Sequence, residues 1–480
     1  MRLALALICI GCITDPVAAA PADPPGAPAT GGAVEVPLEA DLAHVSLRQL
    51  DILRQLLGAA RIMAALHEQQ QAPGGFYPAD MSREEFETWS DPAAFNPYTR
   101  IMRNADGALA AVPYHEAWPR ELGHAARLLA RAAEITTDEA LRSYLALRAR
   151  GLITGDHARA EAAWQATRGS DIDVLIGPID READHEFGLK AGFGAYVLLR
   201  DWAWGARLAQ LKVFLPKVQH SLPVSAAFKG EVPDVNVKLA VYDLLYQAGH
   251  QVLQLHQEPR GVQLRNVVRA HYDTFIPPVA ELTLAPELRR QVSFDAFFLN
   301  TMLHEMAHSL GLSRTIDDRS TVSAALYEHA DTIEEAKAAV LSLWMIDWLH
   351  REGELTETTR SEHHASFLAG VVHDIHLDPW SPVGQARLLL FNYFRDWGAF
   401  RRDAAGGGYY IDELGMGQAI EILAGQLLTL QGSGDHDGAA GLVETLAGVR
   451  PELRADLERL RAAGVPSSIV FRQAPDLPGM

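Results

Sequence analysis

The sequence predicts a mainly α-helical protein with a small β-containing region. Three observations predict it. Apolar residues recur at helical spacing through most of the 480 residues, β-branched residues gather in one middle stretch, and His304-Glu305-Met306-Ala307-His308 lies in an apolar run that reads as a buried helix. With 48% hydrophobic and 21% charged residues, the chain can bury one large core or two lobes and is not wholly disordered. Its formal net charge of -19 argues against nucleic acid or an anionic membrane surface as a partner, because no Lys/Arg cluster is long enough to offset the repulsion.

Taken in order, residues 1–20 combine a charged start, a short apolar stretch and small residues before a cut near Ala20, which predicts a signal peptide and export to the periplasm. That stretch is too short to span a bilayer, and no later window has the roughly 20 apolar residues of a transmembrane segment. Ile10-Gly11-Cys12 resembles a lipobox, with Cys9 where leucine is usual, so soluble export and a lipid anchor at Cys12 both stay open. Both cysteines fall in this leader, which leaves the cut chain no disulfide. Residues 21–40, opening with a Pro-, Ala- and Gly-rich run, read as a flexible linker. From 45 to 166 the pattern is helical, with Leu47, Leu50, Leu53, Leu56 and Leu57 on one stripe, and the aromatic residues Trp89, Phe95, Tyr98, Tyr114 and Trp118 read as core. Residues 235–241 and 262–268 predict strands, and Pro277-Pro278 a turn. After Phe294 come helices over 358–373, 384–400 and 411–431. The glycines at 406–408 read as a turn, since no strand leads into them and no GK[ST] follows.

The pentapeptide at 304–308 carries the chemistry. Histidines four positions apart share one helical face, so both imidazoles can reach a single cation while Glu305 stands beside a water on that cation. This is the arrangement of a zinc hydrolase. Phe294, Phe297, Phe298, Met302 and Leu303 give the apolar background, and Gly311 a stop. The alternative is a helix with two satisfied histidines on a polar edge. A zinc site needs a third protein ligand from a second helix, and the best segment is Asp331-Thr332-Ile333-Glu334-Glu335-Ala336-Lys337, which opens an amphipathic run. The same residues read equally as a capping box, Asp331 with Glu334 or Thr332 with Glu335. His363, His364, His373 and His376 read as solvated helix-edge histidines rather than a second metal site.

The order HExxH, loop, EEAKA and apolar helix resembles the dipeptidyl peptidase III family of zinc metallopeptidases, in its short bacterial branch. Asp173-Val174-Leu175-Ile176-Gly177-Pro178-Ile179 with Phe187-Gly188 and Lys190-Ala191 is similar to that family's segment running from an IGP-type turn into a helix. Phe294 to Phe298, Phe367-Leu368-Ala369-Gly370, Phe391-Asn392-Tyr393, Gly434 to Ala439 and Val465 to Ile469 extend the likeness over 171–472 in one order. The resemblance implies a two-lobed zinc peptidase-like architecture with the metal in the inter-lobe cleft, an N-terminal helical and mixed α/β lobe over 41–290 and a helical zinc-binding lobe over 291–480. It implies that His304, His308 and Glu335 hold Zn2+, that Glu305 is the general base, and that short peptides are hydrolysed by a zinc-activated water. Asp180 and Glu182 would face the substrate's amino group, although they read equally as a charged surface turn.

The sequence also departs from the family. The larger members carry HExxGH, with one more residue between the histidines. Ala339 stands where an acid supports a zinc histidine, Glu182 where a tyrosine follows the turn, and Val383 where a histidine faces substrate. The substrate-holding LPN-type strand is shortened at 255–260. These departures raise an alternative, a catalytically impaired zinc-containing binding or scaffold protein, and a further one, a zinc hydrolase of some non-peptide amide.

Overall fold

In the computed structural model the described residues are 33–231, 239–249, 254–257, 260–403 and 407–472. The predicted leader, Cys12 and the start of the linker lie outside them. The end of the linker is a strand instead, Ala33–Pro37 paired with Ser468–Arg472. Its Val34-Glu35-Val36 alternation is a period-two signal that the Pro/Ala/Gly content of the longer window hid.

The chain divides into two compact units, each assembled from separate stretches. A sheet-bearing unit takes 37–205 and 239–267, and a helical unit takes 268–470 together with the stretch that begins at 206. A single division near residue 290 is therefore not what the contacts make: 268–290 packs with the later helices.

In the sheet-bearing unit, helix Leu47–Gln71 opens on a Ser46/Gln49 capping box and packs Leu53, Leu56, Ala60 and Met63, all fully buried, toward a five-stranded sheet. The strand order is Ile172–Asp180, Gly192–Arg200, Leu239–Ala248, Arg260–Leu264, Gln254–Gln257, with only the third and fourth parallel. The first two strands bury seven consecutive residues each, so both faces are covered and their sequences read as unbroken apolar runs. The IGP segment lies inside the first strand and does not enter a helix, because the chain turns back after Asp180 into the antiparallel neighbour. Gly177 has φ 126°, and a β-carbon there would come within 3.2 Å of the buried Arg148 guanidinium.

Two other expectations for this unit change. The stretch 45–166 is not all helix: Thr99–Arg103 and Leu109–Pro113 form a hairpin around Asn104, whose Oδ1 accepts from the Asp106 and Ala108 amides at 3.0 Å. Of the aromatic residues read as core, Tyr114 and Trp118 are buried, whereas Phe95 is 62% exposed.

In the helical unit, Pro277 and Pro278 lie inside helix Arg265–Thr283 rather than at a turn. Phe275, Ile276, Val279 and Ala280 are all buried around them, and that burial offsets the lost backbone bonds. The helix Phe294–Ala307, here the histidine helix, starts at Ser293, whose hydroxyl accepts from the Ala296 amide at 3.3 Å. The helix Ala330–Arg351, the glutamate helix, is apolar nearly all round because the histidine helix, Pro382–Trp397 and Glu413–Ser433 pack on different sides of it. It is preceded by His329 without a side-chain cap, so neither capping box forms. Among the described residues no helix is long and apolar enough to cross a membrane.

Candidate metal centre

The packing of the histidine helix on the glutamate helix brings His304, His308 and Glu335 together, one ligand atom of each lying within 4.8 Å of the others. Helical spacing supplies the two imidazoles, whose rings stand edge to face at 4.8 Å. His308 is the first residue past the helix and keeps helical dihedrals, φ -60° and ψ -26°. His304 Nε2 lies 3.2 Å from His308 Nε2 and 3.4 Å from Glu335 Oε2. Bonds of about 2.0–2.1 Å to a tetrahedral cation set neighbouring ligand atoms roughly 3.3 Å apart, so these gaps fit such an ion.

The surroundings fit it too. Glu335 Oε2 and Glu305 Oε1 are buried without a hydrogen-bond partner, a costly state that a dication relieves. Burial, with the Arg387 charge adding to it, lowers His304 to about 3, and burial also lowers His308, so both imidazoles present lone pairs. Burial raises Glu335; burial and then the Glu335 charge raise Glu305 to about 8.

Glu334 was not anticipated as a working residue. Its Oε1 lies 2.7 Å from His308 Nδ1 and 2.8 Å from Lys337 Nζ, and its Oε2 accepts from Gln431 Nε2 at 2.8 Å. Burial alone would raise this carboxyl, yet Lys337 and His308 outweigh it and hold it well below the usual carboxylate range. An ionised Glu334 accepts the His308 Nδ1 proton, which leaves Nε2 as the lone-pair nitrogen facing the cluster. The support expected at Ala339 for a histidine is thus supplied to His308 by the first glutamate of the EE pair. The sequence signal was the i,i+3 pairing of Glu334 with Lys337.

Ala339 instead lines a cavity of ≈ 60 Å³ beside His304, together with Asn300, Ser342, Asp374 and Arg387. Asp374 Oδ2 accepts from Arg387 Nε at 2.9 Å, and both side chains are buried. Burial would raise Asp374, but its His373 hydrogen bond and Arg387 hold it at about 2.

The histidines read as solvated are core residues: His363, His364 and His373 are at most 1% exposed. His363 bridges Asn300 Oδ1 at 2.8 Å and Thr358 Oγ1 at 2.7 Å, while His364 Nδ1 meets Glu413 Oε2 at 2.8 Å. Both ring nitrogens of His363 are thus satisfied inside the helical unit, whereas His364 Nε2 and His373 Nε2 are buried without a hydrogen-bond partner, a packing the helix-edge pattern did not reveal. Asp180 and Glu182 belong to the sheet-bearing unit, at the end of strand Ile172–Asp180 and in the turn after it, where Asp180 Oδ1 accepts from the Glu182 amide at 3.1 Å. Val383, in the first turn of Pro382–Trp397, is buried and donates no side-chain hydrogen bond.

Known proteins match this architecture. The solved dipeptidyl peptidase III of Caldithrix abyssi superposes with a TM-score of 0.78 at 27% identity, over 92% of this chain and 98% of that one. The chain resembles dipeptidyl peptidase III over nearly its whole length. A second dipeptidyl peptidase III, from Corallococcus sp. strain EGB, matches with a TM-score of 0.66 at 27% identity, over 92% of this chain and 95% of its own. The fold is thus the two-lobed, mainly α fold of dipeptidyl peptidase III, and it supports a peptidase resembling that enzyme. A curated plant protein, Nudix hydrolase 3 of Arabidopsis thaliana, is 29% identical over 448 residues, 83% of this chain, and the chain spans 57% of that protein's length. No protein-family model matches.

Proposed function

We propose that the chain is a zinc-dependent metallopeptidase that hydrolyses short peptides, with His304, His308 and Glu335 holding zinc and Glu305 as general base. The observation that carries this reading is the meeting of three ligand atoms within 4.8 Å of one another, with a buried carboxyl on the residue next to His304 along the same helix. Zinc held there would polarise the scissile carbonyl and lower the pKa of an attacking water toward ~7. Glu305 would take the proton from that water and return it to the leaving amine. Its raised pKa follows from burial and the Glu335 charge. A cation held by His304, His308 and Glu335 would offset the Glu335 charge felt by Glu305 and so favour its ionised form. Glu334 holds the His308 ring in the ligating tautomer, with Lys337 and Gln431 holding Glu334. Asp180 and Glu182 are proposed to meet the free amine of a peptide, so that a dipeptide leaves. The leader at 1–20 supports export to the periplasm.

A second reading, a zinc-holding binding or scaffold protein without turnover, draws on Val383, an apolar side chain at a position where the resemblance implies a donor. Release of dipeptidyl-naphthylamide products, measured beside zinc content, separates the two. Cleavage by the native chain that vanishes in Glu305→Gln with zinc retained supports the peptidase; stoichiometric zinc with equal, negligible rates in both proteins leaves the binding protein.

A further inference from the structure

We propose a second divalent-metal site, formed by Glu328, His329 and His436 on the surface of the helical unit. One ligand atom of each lies within 4.8 Å of the others. His436 Nε2 is 3.7 Å from Glu328 Oε2, and His329 Nε2 is 3.9 Å from Glu328 Oε1. Both gaps exceed a hydrogen bond, so the two imidazoles converge on the carboxylate without bonding to it. They are a few tenths of an ångström wider than the roughly 3.3 Å of a tetrahedral N/O site, a difference that small side-chain rotations close.

The side chains are held for this role from behind. His436 Nδ1 lies 3.4 Å from Asp437 Oδ1, so a proton donated there leaves Nε2 as the lone-pair nitrogen, the same device Glu334 applies to His308. The Tyr327 ring stands edge-on to the His436 ring at 5.6 Å and the His329 ring lies 5.4 Å away, which limits the swing of the imidazole. Asp435 caps helix His436–Leu446 through the Gly438 amide at 2.9 Å, fixing the backbone from which His436 projects. Two imidazoles and one carboxylate suit a borderline cation such as Zn2+, Co2+ or Ni2+, with solvent completing the coordination. Glu328 is exposed and His436 and His329 are half-buried, so this ion exchanges with solvent and binds more weakly than one held by His304, His308 and Glu335.

The location gives the site a task. His329 directly precedes the glutamate helix and Glu335 follows six residues later, while His436 opens helix His436–Leu446. An ion here staples the start of the glutamate helix to a second helix and steadies the segment that presents Glu334 and Glu335.

The test uses tag-free full-length protein, stripped by chelator and titrated with Zn2+ in a calorimeter, with melting temperature followed in parallel. The native chain should take up two equivalents, the second weaker, and its melting temperature should rise again as the second site fills. His436→Ala, and separately Glu328→Gln, should bind one equivalent and lose the second rise. His304→Ala with Glu335→Ala should keep one weak equivalent, which adding His436→Ala removes. One equivalent in the native chain, or a second that survives both His436→Ala and Glu328→Gln, overturns the site. Failure of the peptidase reading would appear elsewhere, as a tight equivalent that survives His304→Ala with Glu335→Ala.

Discussion

Glu305 and Glu334 sit one on each of the two packed helices and have opposite electrostatics. Glu305 is buried with an oxygen that has no partner, whereas Glu334 is tied to His308, Lys337 and Gln431. A proton carrier must be free to change state, and a support must not. Glu305→Gln is therefore expected to cut peptide cleavage about 10²- to 10⁴-fold while zinc content stays stoichiometric, as metal analysis and product release would record. Glu334→Gln should weaken zinc about 10- to 100-fold in chelator competition, because His308 loses the acceptor that fixes its tautomer. The first residue was legible in the sequence, since a glutamate beside a metal-binding histidine has a recognisable spacing. The second was not. Glu334 lies 26 residues from His308, and their meeting depends on how two helices rotate against each other, which local periodicity does not encode.

At the scale of elements, helix Arg360–Leu377 shows why burial is harder to read than secondary structure. Its existence is plain from the sequence and a Thr359/Glu362 capping box starts it, yet its histidines face the core. His363 on this helix and His271 on Arg265–Thr283 are both lowered to about 3, chiefly by burial, with neighbouring histidine charges next. Because the folded pKa lies below the unfolded value near 6.5, the unfolded chain binds more protons in the interval between. Stability should then fall as pH drops below about 6.5, by up to about 1.4 kcal/mol per pH unit for each residue. Urea unfolding at pH 7.5 and 5.5 tests the slope; equal midpoints would contradict it. The same helix carries Asp374, paired with Arg387 of Pro382–Trp397. Asp374→Asn leaves a buried guanidinium uncompensated and should cost about 3–5 kcal/mol in denaturant unfolding, whereas Asp374→Leu with Arg387→Met should cost much less. The prolines at 277–278 teach a related lesson: a breaker signal yields when the residues around it are wanted in the core.

For the whole molecule, the mainly α class and the small sheet followed from composition and periodicity, but the division into units did not. Compact units are defined by contacts, and two of the crossings between units, at 205/206 and 267/268, fall inside the helices Trp202–Ser221 and Arg265–Thr283, where no linker composition marks them. All three proposed zinc ligands belong to the helical unit. Zinc that binds only the folded form stabilises it by about 2.7 kcal/mol at a free concentration 100-fold above Kd, so chelation should lower the melting temperature of the native chain and leave a variant combining His304→Ala, Glu335→Ala and His436→Ala unmoved. A melting curve indifferent to chelator in both proteins would count against the metal.

Gln431 stands on a helix that contributes no ligand, yet its amide grips the carboxylate that steadies His308. An engineer wishing to make the proposed cation trade faster with its surroundings could therefore start at Gln431, loosening the grip by remote control and leaving the three proposed ligands as nature wrote them.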